Sequence, residues 1–155
     1  MNEKVESFIA VLKALNAHEV EYILVGGLAV ILHGVPRVTE DLDIFVKRDG
    51  PNVDKLRRAL REVFDDESVD EITYAELAQY PVIRYGTPHN YYIDIMDRIG
   101  EAFSYGDLKF EIINSYGLPI RVATKETLIR LKEKTLRMVD QADVVMLKEK
   151  LAEKR

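Results

Sequence analysis

Residues 41–47, Asp41-Leu42-Asp43-Ile44-Phe45-Val46-Lys47, open on alternating charged and apolar side chains and read as a strand, and this stretch restricts the fold more than any other. Strand side chains repeat every two residues, so a strand here puts both carboxylates on one face while Leu42 and Ile44 turn to the core. Two like charges on a half-buried strand are unfavourable unless a cation lies between them. The chain therefore needs a sheet with a polar cleft over part of one face. A solvated strand edge is the competing description, and for a single Asp at a strand start, a turn or cap role would suffice.

Upstream, the β-branched and apolar run Tyr22 to Val25 ends at Gly26-Gly27, and Leu28 to Leu32 reads as a buried helix stopped by Gly34 and Pro36. In a strand, glycine turn, helix arrangement, backbone N–H groups at the helix start can point at a phosphate, and glycine lets it approach. A glycine pair after a strand is also a common tight turn, so the acids must lend it meaning.

The rest of the chain alternates helical and strand periods. Val5, Phe8, Ile9, Leu12 and Leu15 predict a first helix over 3–17, and Val53 to Phe64 a basic amphipathic one, followed by an acidic loop over 65–71. Pro81 to Tyr85 and Tyr91 to Met96 read as a hairpin around Gly86-Thr87-Pro88-His89-Asn90, with further strands at 108–113 and 118–122. Thr124 caps a final helical part with Thr127 in its third position, interrupted near Met138. The expected fold class is α/β (α+β), a mixed sheet flanked by helices with helices at the C-terminus. One domain is expected over 1–155, its core at about 20–122 and its helical part at about 124–155.

The 155 residues contain no cysteine, so a metal would be held by oxygen or imidazole, which suits a hard cation such as Mg²⁺. Lys and Arg number 22 against 27 Asp and Glu, a net charge of −5, which disfavours a general nucleic-acid coat but allows a nucleotide to bind locally. No apolar run is long enough for a bilayer span, and the acidic, amphipathic start differs from a signal peptide. No membrane partner and a cytoplasmic location are expected.

Asp94, inside Tyr92-Ile93-Asp94-Ile95-Met96, is the candidate third acid, because a lone charge there would be costly. If its strand lies beside residues 41–47, the three acids converge. Asp97 has the opposite parity. Arg37 can present a guanidinium fork to a phosphate or pair with an acid, and His33 reads as a packing or capping residue. The cluster Lys125, Arg130, Lys132, Lys134 and Arg137 reads mainly as a solvated face with pairs such as Glu126–Arg130, but Lys132 lies near the apolar side and can reach a phosphate.

Taken together, Leu24-Val25-Gly26-Gly27-Leu28-Ala29, His33-Gly34 and Arg37-Val38-Thr39-Glu40-Asp41-Leu42-Asp43 resemble the signature of the nucleotidyltransferase superfamily related to DNA polymerase beta. The likeness is to its minimal prokaryotic branch, which includes AbiEii-type toxins. It is strong over 22–46 and extends more weakly to Asp94 and to Lys132, Arg137, Asp140 and Asp143. Gly27 stands where many relatives carry serine, and no appended acceptor-binding domain is expected.

The resemblance and the residue chemistry imply Asp41, Asp43 and Asp94 as catalytic and metal-binding residues with Mg²⁺ or Mn²⁺ as cofactor. Gly26, Gly27, Arg37 and Lys132 would bind the nucleotide. The expected reaction moves an NMP from an NTP to a hydroxyl of an acceptor such as RNA (including tRNA), a protein or a small molecule, releasing pyrophosphate. The alternative is a nucleotide-binding antitoxin or regulatory subunit acting by partner contact. A dinucleotide-binding fold lacks its third glycine here, and a phosphate-loop NTPase lacks Gly-Lys-Ser/Thr.

Overall fold

The computed structural model describes residues 3–101, 103–133 and 138–153. Lys134 and Arg137 lie outside them. In chain order, α1 is Glu3–Ala17, β1 Tyr22–Val25, α2 Gly26–Leu32, β2 Leu42–Val46 and α3 Gly50–Phe64. A 3₁₀ turn over Glu67–Glu71 and α4 at Tyr74–Gln79 lead to β3 Val82–Gly86 and β4 Tyr92–Met96. The two short strands β5 (Arg98–Ile99) and β6 (Phe103–Ser104) form their own ribbon. Then come β7 Phe110–Ser115, β8 Leu118–Ala123, α5 Lys125–Lys132 and α6 Met138–Glu153.

Among the described residues, six strands form one mixed sheet in the order β3-β4-β2-β1-β8-β7. β2 runs antiparallel to β1 and parallel to β4, and β1 runs parallel to β8. The centre of the sheet is nearly all apolar: every residue of β1 is buried, and in β2 only Asp43 is not. Strands covered on both faces lose the clean alternation of a half-exposed sheet. Asp43 therefore marks the place where that cover is open.

On one face, helices α1 and α3 pack on each other and on β3 and β4. The Phe8 and Tyr91 rings meet edge to face at 4.9 Å, and those of Phe64 and Tyr85 at 5.8 Å. Such pairs add about 0.5–1.5 kcal/mol each beyond their buried area. α1 presents Phe8, Val11, Leu12 and Leu15 to the core, the 3.6-residue stripe that its sequence predicts. The opposite face carries the acids, with α5 and α6 beside them.

Several expectations need correction. Helix α3 starts at Gly50, not Val53, because the Asp49 carboxylate accepts from the Asn52 N–H and Pro51 suits the first turn. The expected loop over 65–71 holds a 3₁₀ turn, and α4, unexpected, is capped by Thr73 accepting from the Glu76 N–H. For the C-terminal part, read as one helix or two, the described residues hold two, α5 and α6, with 134–137 outside the described residues, and the Thr124 hydroxyl accepts from the Thr127 N–H. Lys125 is buried, and Arg130 stacks over the Phe103 ring at 5.0 Å, so the basic cluster is not one solvated face.

Candidate active site

The acids come together through strand register. Asp43 of β2 is the direct neighbour of Asp94 in β4, and Asp94 is in turn paired across the sheet with Arg84 of β3. Because side-chain parity is shared along a register row, Asp43, Asp94 and Arg84 emerge on one face. Asp41, just before β2, uses Oδ1 to accept the Tyr92 N–H at 3.0 Å. All four line a cavity of about 480 Å³, along with Gly26, Gly27, Arg37 and Lys132. The structure thus gathers every residue that the sequence nominates for the site.

Asp43 is strongly perturbed. Burial is the largest cause and the adjacent Asp94 carboxylate the next, and together they raise its carboxyl to about 7, against the opposing pull of Lys132. Asp94 also shares a side-chain hydrogen bond with it. Two carboxyls this close cannot both ionise cheaply without a cation. Asp94 itself is held by Arg84, whose Nε and Nη2 donate to its two oxygens at 2.9 and 3.1 Å. Among the described residues, no three His, Asp or Glu side chains are gathered closely enough to hold an ion as they stand.

The glycine pair is fixed by the acids it faces. Gly26 has φ +72°, and a Cβ there would lie 2.0 Å from Asp43 Oδ2 and 2.8 Å from Asp43 Cβ. At Gly27 a Cβ would meet Thr39 Oγ1 at 2.6 Å. The Thr39 hydroxyl donates to the Asp41 carbonyl at 3.1 Å and so holds the turn that leads into β2. Helix α2 begins with no side-chain cap, and Gly26 and Gly27 at its start line the cavity wall.

The C-terminal helices supply Lys132 and the two acids, Asp140 and Asp143, that pair with it and with Arg37. Lys132 Nζ reaches Asp140 Oδ1 at 2.9 Å and Asp143 Oδ2 at 3.3 Å, and Asp143 also takes Arg37. Both acids are buried, so this is a desolvated network in which each charge needs the others. Of the two roles open to Arg37, the structure shows the pairing with an acid. Asp97 is turned away to Arg48 and Arg98, at 2.8 Å each, in keeping with its opposite parity. His33 Nε2 donates to the Ala123 carbonyl at 2.7 Å and packs there. Arg84 escaped the sequence reading, although its register with Asp94 follows if the hairpin is centred on His89.

A mixed sheet with strand-borne acids, a glycine pair and C-terminal helices is the nucleotidyltransferase fold. The lincosamide antibiotic adenylyltransferase LnuA, solved with lincomycin bound, shares it at 19% identity and a TM-score of 0.60, over 96% of this chain and 97% of that one. ANT(2'')-Ia, solved in complex with adenylyl-2''-tobramycin, matches at 14% identity and a TM-score of 0.59, over 99% of this chain and 92% of that one. An antigenic nucleotidyltransferase-like protein from Paracoccidioides brasiliensis matches at 16% and 0.60, over 95% of this chain and 77% of that one. None of the curated proteins matches the chain in sequence.

The family model described as nucleotidyl transferase AbiEii toxin, type IV TA system, matches residues 10–148. The chain belongs to this AbiEii nucleotidyltransferase family. No helix among the described residues is long and apolar enough to cross a membrane.

Proposed function

We propose that this nucleotidyltransferase moves an NMP from an NTP to an acceptor hydroxyl at the cavity over β2 and β4. The observation that carries the reading is the register pair Asp43–Asp94, two carboxyls pressed together beside Gly26 in a cavity that also holds Arg37 and Lys132. Asp41, Asp43 and Asp94 are an all-oxygen donor set, and the raised Asp43 carboxyl is the mark of a place that needs positive charge. These residues fit Mg²⁺ or Mn²⁺ and would hold it. Such an ion supplies charge neutralisation for the triphosphate and lowers the pKa of a hydroxyl nearby.

The chain's own groups do the rest. Gly26 and Gly27 leave backbone open to the phosphates, and Lys132 and Arg37, held by Asp140 and Asp143, offset their charge. Asp94 accepts the proton of the acceptor hydroxyl. The acceptor's oxygen forms the bond to the α-phosphorus as the bond from that phosphorus to the α–β bridging oxygen breaks, and pyrophosphate leaves with the bonding electrons.

The family description names a toxin, and we assign the transfer reaction to that role. A binding-only antitoxin has less support, since such a protein has no need of three acids on one cavity. The test is to incubate the protein with α-labelled NTPs and Mg²⁺ in total RNA and total protein extracts. Label should enter one fraction only when Mg²⁺ is present. Intact labelling by the Asp41→Ala, Asp43→Ala double variant refutes the reading.

A further inference from the structure

Arg84 is the cation closest to the paired acids, and its setting is unusual for an edge-strand arginine. It grips both oxygens of Asp94, and its guanidinium lies 4.5 Å over the centroid of the Tyr92 ring. That ring rests against Gly86, Tyr92's register partner on β3. The side chain of Arg84 is 57% exposed and that of Asp94 only 14%, so the fork closes over the acid from the solvent side. A bidentate guanidinium uses both carboxylate oxygens. Asp94 is thus fully engaged by Arg84 on one side and faces Asp43 on the other.

This arrangement explains why the three acids do not stand as a ready cage. Asp41 is taken by the Tyr92 N–H and Asp94 by Arg84. We propose that Arg84 is a resident counter-cation of the site, occupying Asp94 until a divalent cation displaces it. Arg84 acts through Asp94 and is a positioning residue. In the resting site the Tyr92 ring steadies the guanidinium over Asp94 by cation–π contact, and displacing the fork frees its donors for an incoming anion. The inference rests on the reading of Asp94 as a metal ligand.

Charge and geometry can be separated here, because lysine keeps the charge but presents a compact point donor in place of a planar fork. Mn²⁺ binding to the intact chain, read from the electron paramagnetic resonance of free Mn²⁺ without nucleotide, measures the competition directly. An exposed ion pair of this kind is weak, so Arg84→Lys should tighten Mn²⁺ binding about 2- to 5-fold. Tyr92→Leu, which removes the stack and leaves the arginine in place, should shift affinity in the same direction. Asp94→Asn should weaken binding at least about tenfold.

If Asp94→Asn weakens binding while Arg84→Lys and Tyr92→Leu leave it unchanged or weaker, the counter-cation role is overturned and the metal reading stands. If Asp94→Asn binds Mn²⁺ as the wild type does, Asp94 is not a ligand, and both fail.

Discussion

Replacing Asp43 by Asn in the metal-free protein should stabilise it, and by an amount that grows with pH. The carboxyl ordinarily titrates at 3.8 and in the folded chain at about 7, because burial and Asp94 oppose its charge. Well below pH 3.8 it is protonated in folded and unfolded chains alike, and its full contribution to stability is present. As pH rises, the unfolded chain ionises first, and wild-type stability falls by about 1.4 kcal/mol per pH unit until the folded carboxyl also ionises. The Asn variant has no such loss. Relative to wild type it should gain roughly 1.5 kcal/mol at pH 5 and up to about 4 kcal/mol at pH 8. Urea unfolding in EDTA at the two pH values measures both. A difference that stays flat with pH, or is larger at pH 5, refutes the electrostatic account of this site. Adding Mn²⁺ at pH 8 should raise the wild type's midpoint and leave the variant's nearly unmoved, since only a native state that binds the ion gains from it.

Gly26→Ala should both strain the left-handed backbone and drive a methyl into Asp43, costing about 3 kcal/mol and abolishing transfer, as thermal unfolding and the labelling assay would report. Gly27→Ala should cost less, about 1–2 kcal/mol, and Thr39→Ala in the same chain should recover most of that, because the Thr39 hydroxyl is the nearest obstacle. A double-mutant cycle with no coupling would count against this. Lys132→Met removes the cation between two buried acids and should cost about 3–5 kcal/mol. Adding Asp140→Asn should restore part of the stability in urea unfolding while leaving nucleotide binding by calorimetry impaired.

The strand bearing Asp41 and Asp43 could be read from sequence because parity is local: one intervening residue fixes two side chains on one face. Asp94 could be nominated by the cost of a charge in an apolar run, but its contact with Asp43 is a matter of register between strands about fifty residues apart. Arg84 was hidden for a related reason. A turn centred on Pro88 pairs it with Tyr92, whereas the chain turns about His89, with Thr87 N–H donating to the Tyr91 carbonyl at 2.9 Å, and pairs it with Asp94. Helix α4 is too short to show a period, although Thr73 and Glu76 carry the spacing of a capping box. The Arg37–Asp143 pair joins residues 106 positions apart, and no local pattern announces such a link. Lys125 shows the opposite failure, since a run of basic residues reads as wetted surface whether or not one of them is buried.

The network that ties Lys132 and Arg37 to Asp140 and Asp143 has a consequence for the order in which the site comes into being. The acids and glycines leave the ribosome before the helix that steadies the two cations, α6. A growing chain therefore carries its acidic wall before the opposing positive charges can be fixed in place, so the cavity matures only once α6 has emerged. For a protein of a toxin family, catalytic competence would then be timed by translation itself.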